Sequence, residues 1–299
     1  MSDLTVCLTF DVDGISSWIG TARSNNPSLL SRGEFTVVGT PRVLAFLERK
    51  DIRATFFVPG HTACAFPDLV KAIRDGGHEI GHHGWVHENP ADFDLAGETD
   101  ILEKGFEALD RAAGVRPIGY RSPAWDLSRD TLHLLKRFGF LYDSSCMAAD
   151  FEPYYPRTGD SWGPDRPYRF GPLIDLVQMP VNWAMDDFIA FESVMGMIPG
   201  YVPPRQVEEM WRDDFDFAVD ECPGGVFIPT MHPDCIGRAS RLRMLDRLVD
   251  HMRDSGRVVF DTMGNHARRW KERNPIDDWA AANPMRTGVN AITDIGAPR

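Results

Sequence analysis

Basic residues are in short supply in this chain of 299 residues: 32 Lys and Arg stand against 44 Asp and Glu, for a formal charge of −12. A nucleic-acid partner is not expected on that balance, because a phosphate backbone is held by clustered Lys and Arg. A small neutral or cationic substrate fits it better. Cysteine is sparse too. Its five copies, Cys7, Cys64, Cys146, Cys222 and Cys235, are odd in number, scattered and never in CxxC spacing. That argues against a cysteine-based zinc site and for reduced thiols in the cytoplasm. No apolar run approaches the roughly 20 residues of a membrane-spanning helix. The opening "MSDLTVCLTF" lacks the basic flank and apolar stretch of a secretory signal, so a cytoplasmic location without a membrane partner is expected. Internal repeats and low-complexity segments are missing as well. What is present is an ordinary apolar fraction of 43%, over a length that suits one α/β barrel or two smaller domains.

Short β-branched or aromatic runs alternate with helical patterns, the signature of a mostly parallel sheet covered by helices. The runs "TVCLTF" (5–10), "ATFFV", "HEIG", "IGY", "LIDLVQMP", "GVFIPT" and "RVVF" read as strands. Between them, helices are expected around "PRVLAFLER", with Pro41 at a first helical position, and over 67–74, 128–138 and 204–219. A further helix carries Leu242, Leu245, Leu248 and Met252. From Phe93 to Ala113 the set Leu95, Leu102, Phe106 and Leu109 repeats at helical spacing, and Gly114 is placed to stop the helix. About seven strand–helix units in one domain point to a distorted (β/α) barrel of TIM-barrel type rather than a doubly wound sheet. Residues 146–172 read as a long ordered loop serving a site or an interface, and periodicity is lost from about Pro275. Hence residues 1–274 are expected to form one domain and 275–299 an extended C-terminal tail.

Four of the nine histidines fall within "GHEIGHHGWVHENP" (77–90). His83 and His87 are four apart, so one helical turn would bring both rings to a single cation. Asp13, from "LTFDVDG", could add an oxygen. Two His and one carboxylate with open coordination is a catalytic arrangement, whereas structural zinc sites are closed. The bland readings stand beside it: Asp11 and Asp13 as turn caps before Gly14, Arg121 as an ordinary ion pair, His78 bonded to backbone, and Trp18, Trp85, Trp125 and Trp183 as core aromatics. Position argues for chemistry. "LTFDVDG", "GHHGWVHE", "GYRSPAW", "MPVNWAMDD" and "FIPTMHPD" each follow an apolar strand, and a barrel brings all such ends to one rim.

The ordered set "TFDVDG", "HGWVHE", "RSPAW", "WAMDD" and "MHP" resembles the motifs of the polysaccharide deacetylases, the NodB-homology or carbohydrate esterase family 4 enzymes. The likeness runs from residue 5 to about 260. It implies a distorted (β/α) barrel holding a divalent metal ion, commonly Zn2+, and hydrolysis of a non-peptide C–N bond. It implies Asp13, His83 and His87 as metal ligands, Asp11 as base, Arg121 as the residue holding that base, and His232 as general acid. Asp187 would orient His232, with Asp186 as rival. Trp125, Trp183 and Tyr120 are expected around the substrate. Val12 separates the two aspartates, Gly84 takes a slot usually filled by Ser or Thr, and Ala124 intervenes before Trp125. These departures resemble the branch of peptidoglycan deacetylase-like proteins, cyclic imide hydrolases and allantoinase-like enzymes. Removal of N-acetyl groups from an amino-sugar glycan is therefore the leading expectation, and a cytoplasmic cyclic imide or ureide hydrolase the alternative. A homo-oligomer fits this branch, with the 146–172 loop as a candidate interface.

Overall fold

The protein is described by a computed structural model covering residues 3–194 and 200–292. Its strands in chain order are β1 (Leu4–Val6), β2 (Thr9–Asp11), β3 (Thr55–Val58), β4 (Glu79–His82), β5 (Gly119–Tyr120), β6 (Tyr142–Asp143), β7 (Ser161–Gly163), β8 (Arg166–Arg169), β9 (Val177–Gln178), β10 (Val226–Phe227), β11 (Thr230–Met231) and β12 (Val258–Phe260). Seven of these form a parallel sheet in the order β11-β2-β3-β4-β5-β6-β9. It curls into a half-barrel clothed by helices, the architecture the alternating pattern predicts. Burial on both faces explains the uninterrupted apolar run of β3, all four residues of which are buried.

The strand predicted over 5–10 is in fact two. β1 joins β10 and β12 in a separate three-stranded parallel sheet, while β2 enters the half-barrel. "GVFIPT" divides in the same way into β10 and β11, around Pro229, which has no N–H to give to a ladder. The two strands change sheets side by side: Cys7 N–H donates to Phe227 O at 2.9 Å and Thr9 N–H to Pro229 O at 3.3 Å.

Helices differ from expectation mainly at their ends. Pro41 lies inside the helix Thr36–Arg49 rather than at its start. The extra N-terminal turn is held by packing, with Thr36, Gly39 and Thr40 buried, and tertiary contact overrides the local signal. The long helix is Leu95–Ala113, capped by the Asp94 carboxylate accepting from Gly97 N–H at 2.8 Å. Its buried stripe includes Leu102, Phe106 and Leu109, but Leu95 in the first turn is exposed.

Two stretches predicted to be irregular carry structure. The 146–172 loop contains the antiparallel pair β7–β8. The expected tail from 275 holds the helices Ile276–Ala282 and Pro284–Thr287, and its last residues, 293–299, lie outside the described residues. The two stretches brace each other. Trp279 packs 5.5 Å from Tyr155 between ring centroids, and the Arg157 guanidinium donates to Arg286 O at 2.6 Å. A single tryptophan provides the apolar anchor, which a search for periodicity passes over.

One close approach ties the fold to the rim of the half-barrel. A Cβ on Gly39 would stand 1.9 Å from Pro233 O, so the helix Thr36–Arg49 reaches the residue after His232 only because position 39 has no side chain. Gly39→Ala is expected to lower stability by about 1–3 kcal/mol, the range for overpacking a close-packed contact. Urea unfolding checks this: the midpoint should fall while the slope m stays constant.

Candidate active site

All seven strands of the half-barrel run parallel, so their C-terminal ends meet at one rim. Asp11 ends β2, His83 follows β4, Arg121 follows β5 and His232 follows β11. Asp186 and Asp187 come after β9, where Asp186 makes a parallel bridge to Thr230. A cavity of about 190 Å³ opens there, lined by Asp11, Asp13, His83, His87, His232 and Asp186 on its polar side. Trp18, Ala124, Trp125, Trp183 and Phe188 line its apolar side.

His83 and His87 converge, but not through a helical turn. Residues 83–89 form a bend in which Gly84 has φ +71° and His87 φ +62°. The Glu88 carboxylate holds this bend by accepting from Trp85 N–H at 2.8 Å and Val86 N–H at 2.5 Å. Gly84 is explained by the same geometry: its backbone is left-handed, and a Cβ would stand 3.0 Å from Glu88 Oε1 and 3.1 Å from Pro123 Cγ.

The protons on the two rings are set by their far nitrogens. His83 Nδ1 faces Arg121 O at 2.7 Å, and a carbonyl only accepts, so Nδ1–H donates. Thr21 Oγ1 donates to His87 O at 2.8 Å and takes the His87 Nδ1–H at 2.6 Å. Both Nε2 atoms therefore carry lone pairs in the neutral rings. Both point at Asp13: His83 Nε2 is 3.3 Å from Oδ1 and His87 Nε2 is 3.1 Å from Oδ2. His83 Nε2 and Asp13 Oδ1 are buried without hydrogen-bond partners among the described residues. Bare acceptors facing one another in a dry place call for a positive charge between them. Nitrogen and carboxylate donors of this kind suit zinc and several other first-row ions, so the three residues fit a divalent cation.

Around this triangle sit two ion pairs. Arg121, fully buried, donates to Asp11 Oδ1 at 2.8 Å, Thr9 Oγ1 at 3.0 Å and Ser144 Oγ at 3.0 Å. Asp11 Oδ2 stays 3.9 Å from His83 Nε2. On the opposite side His232 Nδ1–H donates to Asp187 Oδ1 at 2.7 Å, the same oxygen that accepts from His232 N–H at 2.9 Å. His232 Nε2 is 3.7 Å from Asp13 Oδ2. Burial works against protonation of His232, but the charges of Asp186, Asp187 and Asp13 outweigh it and hold the imidazole well above its usual range.

Between the two aspartates expected to compete for His232, the partner is Asp187. Asp186 instead caps the helix Asp187–Phe191, its Oδ1 accepting from Phe188 N–H at 2.7 Å. Trp125 and Trp183 pack with ring centroids 4.1 Å apart and planes tilted by 34°, Trp183 remaining 40% exposed. Tyr120 does not line the cavity. Its ring is 1% exposed, packed against His82 and Phe140, so the expectation that it touches substrate is corrected: as the last residue of β5 it points into the core, while Arg121 after it turns to the site. His82 belongs to the same core, Nε2 bonded to Leu102 O. His78 accepts from Ala54 N–H at 3.2 Å, as read from the sequence. Trp18 and Thr21 were not singled out for the site. The helix Ile15–Gly20, which carries Trp18, and Thr21 just after it lie far in sequence from His87, and no local pattern links them.

The family model for polysaccharide deacetylase matches residues 2–142. A peptidoglycan deacetylase of Helicobacter pylori is 36% identical over 287 residues, 91% of this chain and 98% of that protein. The chain belongs to the polysaccharide deacetylase family. It is accordingly a hydrolase of carbon–nitrogen bonds other than peptide bonds. A crystal structure assigned provisionally to a polysaccharide deacetylase of Mycobacterium smegmatis superposes with a TM-score of 0.81 at 31% identity, covering all of this chain and 95% of that one. The allantoinase Puue superposes at 0.74 with 22% identity over 91% of each chain, a likeness of fold alone. The long match to a deacetylase therefore does not favour the cyclic imide alternative.

Removing Arg121 would strand the Asp11 carboxylate in a buried place. Arg121→Met should cost about 3–5 kcal/mol at neutral pH. The loss should shrink in Arg121→Met/Asp11→Asn, where the buried charge is gone. Chemical denaturation of the single and double variants reads the difference.

Proposed function

We propose that this chain is a metal-dependent N-deacetylase that removes acetyl groups from an amino-sugar glycan, in a cytoplasmic setting. The observation that carries it is one cavity in which the lone pairs of His83 Nε2 and His87 Nε2 meet the Asp13 carboxylate, with Asp11 on one side and His232 on the other. Five free cysteines support the cytoplasmic setting, and no helix among the described residues is long and apolar enough to cross a membrane.

In this reading Asp13, His83 and His87 hold a divalent ion, with zinc the first candidate. When bound, such an ion polarises the amide carbonyl and makes a water acidic enough to attack near neutral pH. Asp11 receives the water's proton on Oδ2, since Oδ1 is taken by Arg121. Arg121, fully buried behind it, fixes the plane of that carboxylate. The developing oxyanion finds the Ala124 N–H, which has no acceptor among the described residues, whereas the Trp125 N–H is already given to Ser122 O. Ala124 and Trp125 both adopt positive φ, at 50° and 56°, and strain held at such a place is consistent with presenting an amide to a reacting atom. His232, held as imidazolium by Asp187, gives its Nε2 proton to the departing amine. The methyl of the acetyl group and the apolar face of a pyranose ring suit the indole walls of Trp125 and Trp183.

Elemental analysis of the purified protein, paired with acetate release from an N-acetylglucosamine tetramer, tests the reading. His83→Ala and His87→Ala should lose bound metal and acetate release together. Thr21→Val, which removes only the group orienting His87, should weaken metal binding by about 10–100-fold. Metal content and acetate release equal to wild type in His83→Ala or His87→Ala would overturn the assignment.

A further inference from the structure

We propose that Asp186 accepts a hydrogen bond from the N–H of the substrate's scissile amide through its carboxylate oxygen Oδ2, making this enzyme selective for secondary over tertiary amides. The inference rests on amide hydrolysis in this cavity. Asp186 lines the cavity and is 4% exposed. Its position is rigid: the backbone bridges to Thr230, and Oδ1 accepts from Phe188 N–H at 2.7 Å and Ile189 N–H at 3.3 Å. With Oδ1 turned to the helix, Oδ2 is the oxygen left over, and it has no hydrogen-bond partner among the described residues.

The other polar side chains around the cavity are committed. Asp11 is bonded to Arg121, Thr21 to His87, Ser17 to Gly14 O and His232 to Asp187. Asp13 is enclosed by the two imidazoles. The remaining lining is largely indole, phenyl and aliphatic, so a substrate N–H entering here meets Asp186 Oδ2, while Asp11 Oδ2, 3.9 Å from His83 Nε2, is kept for the proton of the attacking water. Absence of that N–H would be costly, because a buried carboxylate oxygen without a donor loses its water and gains nothing in return. Desolvation, opposed by His232 and reinforced by Asp187 and Asp11, pushes the Asp186 carboxyl up to about 7, so the accepting form is the ionised one and the contact is to be measured well above that pH.

Asp186 and His232 are neighbours in this cavity: one carboxylate oxygen of the first and one ring nitrogen of the second lie within 4.8 Å of each other, and both residues line it, so the proposal seats the leaving nitrogen between them. The amide nitrogen is planar before attack and pyramidal after it. An N–H held by Asp186 through that change directs the new lone pair toward His232 Nε2. No bond forms or breaks at Asp186; it orients the nitrogen that takes the proton.

Asp186→Asn separates this role from helix capping. Its side-chain oxygen still serves the Phe188 and Ile189 amides, but an NH2 donor replaces Oδ2. Ligand-observed NMR with N-methylacetamide, which has one N–H, and N,N-dimethylacetamide, which has none, reads the contact without turnover. Wild-type protein should bind the first about tenfold more tightly, the size of one hydrogen bond to a charged acceptor. Asp186→Asn should lose that preference while its thermal midpoint stays within a few degrees of wild type. Equal binding of the two probes by wild type, or an undiminished preference in Asp186→Asn, overturns the proposal. Acetate release from an N-acetylglucosamine tetramer is followed in parallel: a preserved probe preference without acetate release rejects the deacetylase reading and leaves the Asp186 contact standing.

Discussion

Three groups with lone pairs, all buried and all facing inward, impose the constraint around which the rim is built. The Nε2 atoms of His83 and His87 approach the Asp13 carboxylate at 3.3 and 3.1 Å, with hydrogens already placed on the far nitrogens of both rings. Left alone, such a triangle repels itself. Positive charge at its centre turns the repulsion into attraction, and the surrounding residues make sense as devices that keep the triangle aimed. Thr21 orients one ring and the carbonyl of Arg121 the other. Glu88 holds the bend that brings the two rings together, a job that needs neither helix nor strand.

Arg121 links this triangle to the ion pair beside it. Its carbonyl receives the His83 proton while its guanidinium binds Asp11, Thr9 and Ser144. Through one residue, the ends of β2, β4, β5 and β6 are fixed relative to one another. The guanidinium also lies over the Phe57 ring, 4.4 Å from its centroid, so its lower face is covered by aromatic surface. A parallel half-barrel suits this role because strand ends arrive at one level. The residue after each strand then enters the same small volume with no loop of its own to order.

Residues that the structure gathers at the rim were legible because they end or follow a strand, and strands announce themselves by apolar runs. Asp11, Arg121 and His232 needed no more than that. What stayed hidden depends on tertiary geometry. The split of "TVCLTF" into two strands leaves every residue buried, so no change of pattern marks the step between sheets. Tyr120 and Arg121 are adjacent, yet one faces the core and the other the site, because neighbours along a strand point to opposite faces. The convergence of His83 and His87 was expected from a helical turn that does not exist; the bend over 83–89 delivers the rings by another route. Thr21 stands 66 positions from the histidine it orients, and nothing near it in the chain signals the contact. The choice of Asp187 over Asp186 turned on which side chain the following helix claims, a detail of capping that identical neighbours conceal.

The two sides of the cavity are built differently. On one side, the Arg121 guanidinium donates to Asp11 Oδ1 at 2.8 Å and fixes that carboxylate in place. On the other, burial and a second carboxylate raise Asp186, while the same negative charges raise His232. An excess of acid, evident already in the composition, is here concentrated around one imidazole, and that imidazole is thereby kept protonated against the desolvation that would strip it. In the proposed reaction His232 is then the proton donor, and Asp11 takes the proton of the water. Amide hydrolysis requires this pairing, since the attacking water must lose a proton while the leaving nitrogen must gain one.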